Sequence, residues 1–185
     1  LHAAHGMYLN QIIETSERQD GYGGSFEGRI RLLAELVREI KKLCGESFIV
    51  AVRFGNPDYD ELVKTAITIE QAGGDLLDVS TGMSGYRNIP SQFPFDSKIY
   101  AASLVKDKVL LPVIGVGNIQ TGEQAERVLE SKYADMAAIG RGHLCDSTWA
   151  NKALHGERPI LCRKCKTCMW YIDGRKCPVR YGGAL

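Results

Sequence analysis

Apolar residues along this chain gather into four short runs, at residues 48–53 (FIVAVR), 76–79 (LLDV), 112–116 (PVIGV) and 136–139 (MAAI). None alternates strictly with polar residues, which is the pattern of parallel strands covered on both faces. Between the runs the spacing turns helical. Ile30, Leu33, Leu36, Val37, Ile40 and Leu43 recur at helical steps, and Gly45 follows as a stop signal. A second helix is predicted over 60–72, halted by Gly73-Gly74. A third starts at Thr121, whose hydroxyl can cap the amide near Gln124. A fourth begins near Asp146 and carries Trp149, Ala150, Ala153 and Leu154.

Strands alternating with helices imply β-α-β units with right-handed crossovers. The residues able to do chemistry follow the strands: Arg53 and Gly55, residues 80–82, Gly115 to Asn118, and Gly140 with Arg141. In a (β/α)8 barrel that end of the strands is the active face. Such a barrel takes about 250 residues. This chain has 185, with four strands and His2 marking the tail of a fifth. The expected fold is therefore α/β, the C-terminal half of a (β/α)8 TIM-type barrel over 1–158, with a Cys-rich tail over 159–185.

Composition narrows the picture. A formal charge of +1 gives no support for a nucleic-acid partner or an anionic membrane surface. No run reaches the roughly 18–20 apolar residues of a membrane span, and the first residues lack the form of a signal peptide. Four of the six cysteines crowd into residues 162–177, whereas a disulfide-stapled domain spreads them along the chain. A cytoplasmic, thiol-reducing setting is expected.

Two glycine-bearing strand ends, Gly115-Val116-Gly117-Asn118 and Gly140-Arg141-Gly142, are candidate phosphate loops. Glycine lets backbone approach an anion, and Arg adds a charge-assisted contact. In (β/α)8 barrels the loops after strands seven and eight frequently build such a site. Arg53, at a strand end, suits a role offsetting negative charge on a bound molecule, or a structural ion pair across the barrel mouth. His2 and His5 could ligate a metal, though no third ligand follows nearby, sit satisfied at a strand end, or act as a pair of donors for a carbonyl oxygen that becomes an oxyanion. Cys162, Cys165, Cys168 and Cys177 have spacings that suit a [4Fe–4S] cluster or Zn2+, and soft sulfur donors do not choose between them; four reduced, unliganded thiols are the third reading. Cys44 and Cys145 read as small core residues, and His143 and His155 as surface residues.

His2-Ala3-Ala4-His5-Gly6, then Asp20-Gly21-Tyr22-Gly23-Gly24-Ser25 leading into a long helix, resembles the old yellow enzyme and NADH:flavin oxidoreductase family over nearly the whole chain. The resemblance implies an FMN-binding (β/α)8 barrel that is reduced by NAD(P)H and passes hydride to an activated alkene such as an enone. It places the substrate carbonyl at His2 and His5, the flavin-side guanidinium at Arg53, and the FMN phosphate at Gly117, Asn118, Gly140 and Arg141. Members with a Cys-rich segment after the last strand bind [4Fe–4S], which implies Cys162, Cys165, Cys168 and Cys177 here.

Three departures are visible. Where the family commonly has a proton-donating Tyr directly after His-x-x-His-Gly stands Met7, with Tyr8, the candidate donor, one residue later. The last cysteine gap is shorter than in cluster-binding members. The first strands of the barrel are not in this sequence. A non-catalytic half-barrel, pairing with a second copy or a separate N-terminal half, is therefore a rival expectation. Another is a phosphate-binding barrel of other chemistry carrying a cysteine metal module.

Overall fold

The structure, a computed structural model, describes residues 1–86 and 88–179; the end of the expected tail, 180–185, lies outside the described residues. The apolar runs form parallel strands β2 (Ala51–Phe54), β3 (Leu76–Val79), β4 (Val113–Val116) and β5 (Met136–Ala138), preceded by a two-residue β1 (His2–Ala3). Their order in the sheet is the order of the chain, β1-β2-β3-β4-β5, with every pair parallel. Sequential parallel strands with helical crossovers are the wall of a (β/α)8 barrel.

Side chains alternate across that wall. Val52, Phe54, Leu77, Val79 and Val113 are fully buried on the face the helices cover. The opposite residues, Arg53, Asp78 and Ile114, are partly exposed on the inner face and stand in one row, since His2 pairs with Arg53, Arg53 with Asp78, and Asp78 with Ile114. A polar pair thus sits in the inward register of buried strands.

Seven α-helices occur among the described residues: α1 (Tyr8–Glu14), α2 (Phe26–Cys44), α3 (Tyr59–Gln71), α4 (Ser97–Lys106), α5 (Gly122–Glu130), α6 (Arg141–Cys145) and α7 (Trp149–Leu154). Side-chain oxygens take orphan amides at their starts: Ser25 from Gly28, Asp58 from Glu61, Asp96 from Lys98 and Thr121 from Gln124. The Thr121 cap is the predicted one. Its reciprocal arm falls one residue early, with the Gln120 amide donating to Gln124 Oε1 at 2.8 Å. Leu33 and Val37 of α2, Leu62 and Ile69 of α3, and Ala101, Ala102 and Val105 of α4 close the core over the sheet. No described helix is long and apolar enough to cross a membrane.

Several expectations are corrected. The first full strand begins at Ala51, and Phe48 and Ile49 are exposed. Lys41 Nζ binds the carbonyls of Glu46 and Phe48 at 3.1 and 3.0 Å, so this backbone turns about an ammonium instead of extending the ladder. Leu43 and Cys44 lie in the last turn of α2, past the edge of the sheet, and both are exposed. Cys145 is buried, and His143 and His155 are exposed, as expected. The helix expected from near Asp146 is α7, which starts at Trp149; a separate short α6 precedes it, and the Asp146 carboxylate is a staple between the two. It accepts from the Thr148 amide and hydroxyl (3.1 and 2.7 Å), Lys152 Nζ (2.8 Å) and the Ile160 amide (2.9 Å).

Lys152 foremost, then the Ile160 amide and Thr148, hold the Asp146 carboxyl below the usual carboxylate range. A depressed folded value means stabilisation present above the unfolded value of about 4 and lost as pH falls through the folded one. Asp146→Ala is expected to lower stability by about 2–3 kcal/mol at neutral pH, with the deficit shrinking in acid. Urea melts at neutral and acid pH measure both effects.

Candidate functional site

The C-terminal ends of all five strands, joined by the start of α4 and the Cys-rich segment, surround one cavity of about 300 Å³. At one end lies a polar relay. Arg53 Nη2 donates to Ser80 Oγ at 3.4 Å, and Ser80 Oγ lies 2.6 Å from His5 Nε2. Guanidinium can only donate, so Ser80 Oγ accepts from Arg53; in the tautomer in which the serine proton goes to Nε2, a neutral His5 carries its own proton on Nδ1. His2 is adjacent, with ring centroids 5.3 Å apart, though it does not border the cavity.

Asp78 lies behind Arg53, Oδ2 to Nε at 3.5 Å. Burial pushes the Asp78 carboxyl up, against the opposing pull of Arg53 and His2. Arg53 Nε and Asp78 Oδ1 are buried without a hydrogen-bond partner. Burial first, then Arg53, His2 and Lys98, hold the His5 imidazole below its ordinary value. Removing a neighbouring cation favours the protonated ring. Arg53→Ala is therefore expected to raise the His5 midpoint in an NMR pH titration; an unchanged midpoint would refute the electrostatic contact.

These positions are set locally. His5 and Gly6 both adopt the left-handed conformation (φ 59° and 71°), which swings the chain from β1 into α1. Buried Asn10 on α1 then accepts from the Gly6 amide (2.8 Å) and donates to the Gly55 carbonyl and Glu14 Oε1 (3.0 and 2.7 Å). Glu14 takes the Met83 amide at 3.0 Å, fixing the loop after β3. A Cβ on Gly55 would come within 2.3 Å of the Thr81 backbone, so only glycine lets these two strand ends approach.

At the other end of the cavity the two glycine-bearing loops meet. Arg141 Nη2 donates to Asn118 Oδ1 at 2.6 Å. Asn118, left-handed at φ 51°, donates to Asp96, which pairs with Lys98 Nζ at 2.7 Å. Burial alone would raise the Asp96 carboxyl, but its bonds to Lys98 and Asn118 outweigh that and leave it below the usual range. A Cβ on Gly117 would stand 2.9 Å from Asp96 Cβ, whereas one on Gly140 would meet nothing within 4 Å.

Two predicted residues lie elsewhere. Gly115 is inside β4, buried, where a Cβ would press on Ala134 and Ile99 at 3.0 and 3.2 Å; its smallness serves the core. Tyr8 opens α1 and is 68% exposed, because the turn at His5 and Gly6 carries it outward. Sequence reasoning passed over Asp78 and Asp96. The available signals were an acid in a buried strand and an Asp before a helix whose apolar residues lie on several sides. The cavity also takes in Lys98, Lys164 and Tyr171.

Cys162, Cys165, Cys168 and Cys177 line a second, small cavity of about 20 Å³ together with Cys145. Cys145 is in contact with Cys162 and Cys177, and burial first, then those neighbours, push its thiol up to about 12. All six cysteines are free of disulfides. Among the described residues, no three His, Cys, Asp or Glu side chains converge closely enough to hold a metal ion.

The fold is a partial (β/α)8 barrel with its strand-end loops gathered around one cavity. Residues 1–159 match the NADH:flavin oxidoreductase / NADH oxidase family, the family of the old yellow enzymes, and the chain belongs to it. It is 36% identical to an NADH oxidase of Thermoanaerobacter brockii over 95% of this chain and 29% of that protein. It is 28% identical to an NADPH dehydrogenase of Halalkalibacterium halodurans over 83% of this chain and 47% of that one. The chain thus spans less than half the length of these relatives. A solved 2-naphthoyl-CoA reductase shares the fold with a TM-score of 0.76, at 21% identity over 93% of this chain and 29% of that one.

Proposed function

We propose that this chain forms the phosphate-binding and substrate-facing part of an FMN-dependent NAD(P)H oxidoreductase that reduces activated alkenes such as α,β-unsaturated carbonyl compounds. One observation carries the reading: Arg141 and Asn118, from two different strand-end loops, meet at 2.6 Å on the wall of the same cavity that holds Arg53 and His5 at its other end. The fit to FMN rests on that wall. It offers a cationic end for a phosphate and, toward Arg53, a buried guanidinium nitrogen, Nε, with no hydrogen bond among the described residues and only the 3.5 Å ion pair to Asp78.

When bound, FMN would supply hydride acceptance from NAD(P)H and hydride donation to the alkene carbon. The protein's residues do the rest. Arg53, braced by Asp78, presents positive charge to the electron-rich edge of the ring system. The Arg53–Ser80–His5 relay leaves the His5 Nδ1 proton for a substrate carbonyl oxygen, with His2 beside it as second donor. Asn118 and Arg141, with the backbone at Gly117 and Gly140, hold the phosphate. Tyr8 is exposed and outside the cavity lining, so no proton-donating role is assigned to it.

A cysteine-bound [4Fe–4S] cluster or Zn2+ belongs to the proposal through its donor set, four soft thiols bordering one cavity. That cavity has room for about one water, so such a group requires the segment to open around it. Iron, acid-labile sulfide and zinc analyses of anaerobically purified protein decide among the three states. The partly exposed inner face, with Met136 at 41%, favours further strands closing the barrel, from the same polypeptide or a second one. A cytoplasmic setting, with reduced thiols and small-molecule substrates, completes the reading.

Reconstitution with FMN tests it. Quenched flavin fluorescence, bleaching by NADH or NADPH, and reoxidation by an enone are expected. Failure of the full gene product to take up FMN would refute it.

A further inference from the structure

Lys164 lies between Cys162 and Cys165 in the left-handed conformation (φ 54°), its amide donating to Cys162 Sγ at 3.4 Å. The turn brings Lys164 to the same cavity as Asn118 and Arg141. The segment is held there. Trp170 Nε1 donates to the Leu144 carbonyl at 3.1 Å, which ties it to α6, whose first residue is Arg141. Cys162 and Arg141 border both the large cavity and the cysteine cavity, so the two share a wall.

The charges on the large cavity are unevenly paired. Arg53 has Asp78 behind it and Lys98 has Asp96. Arg141 has only the neutral Asn118, and Lys164 Nζ has no ion-pair or hydrogen-bond partner among the described residues. No acidic side chain borders the cavity among the described residues. Two positive charges are thus left uncompensated, the complement of a phosphomonoester with its charge near −2. We propose that Lys164 is a second cation for the phosphate of the bound nucleotide, which makes the cysteine segment part of the cofactor site. This rests on the FMN reading above and extends it to a residue outside the barrel loops.

The test is a fluorescence-quenching titration of the full gene product with FMN and, separately, with riboflavin, which lacks the phosphate. Lys164→Ala is expected to weaken FMN binding about three- to tenfold, the modest range of a solvent-exposed charge, and to leave riboflavin unchanged. Lys164→Arg is expected to retain most of the affinity. Equal loss for both flavins would show a structural role and overturn the proposal. So would an unchanged FMN affinity in Lys164→Ala alongside a large loss in Arg141→Ala, with the flavin reading intact. If Arg141→Ala also leaves FMN binding untouched, the flavin reading fails and the proposal falls with it.

Discussion

Arg141→Ala is expected to weaken FMN binding by about 10- to 100-fold, in the range of one charge-assisted hydrogen bond to a phosphate. Riboflavin binding should fall by no more than about twofold, since the variant leaves the ring end of the cavity intact. The loss exceeds that expected for Lys164 because Arg141 is already oriented: its Nη2 is held by Asn118 Oδ1, and Asn118 is held in turn by Asp96. A side chain fixed before the ligand arrives loses little rotamer entropy on binding. Parallel titrations with the two flavins read the difference directly.

Phe54→Ala is expected to cost about 3–5 kcal/mol of stability, a large share of the 5–15 kcal/mol typical of a folded domain. Phe54 is fully buried and is the largest such side chain in the core, on the strand that carries Arg53. Its removal leaves a void in the core cluster that the rigid sheet fills poorly. A shift of the urea midpoint at unchanged slope measures the loss. A cost below about 1 kcal/mol would mean that β2 is not the centre of the core.

Much of the scaffold was readable before any coordinates. Unbroken apolar runs mark strands buried by helices, and the four runs fall on β2 to β5. Thr121 announced α5 because a cap is local chemistry. What stayed hidden depends on distant partners. α4 escaped because Ile99, Ala101, Ala102 and Val105 are buried without one dominant apolar stripe. α1 escaped because seven residues give too little periodicity to see. Phe48 and Ile49 looked like strand until Lys41, packed from α2, claimed the nearby carbonyls.

The site shows the same division. Glycine and arginine at strand ends are legible as a motif, so Gly117, Asn118, Gly140 and Arg141 could be placed on one wall. Gly115 carries the same letter for a different reason, close packing on Ala134, and no local pattern separates the two uses. Asp78 became visible as a partner of Arg53 only through the β2–β3 register. Lys164 required the fold of the cysteine segment, which brings a residue from beyond the last strand back to the cavity.

A crystal structure of the protein grown with FMN probes the shared pocket most directly. The expected result is a phosphate within hydrogen-bond reach of both Asn118 and Arg141, with the ring system extending toward Arg53. Flavin bound elsewhere, or a phosphate touching neither side chain, would contradict it.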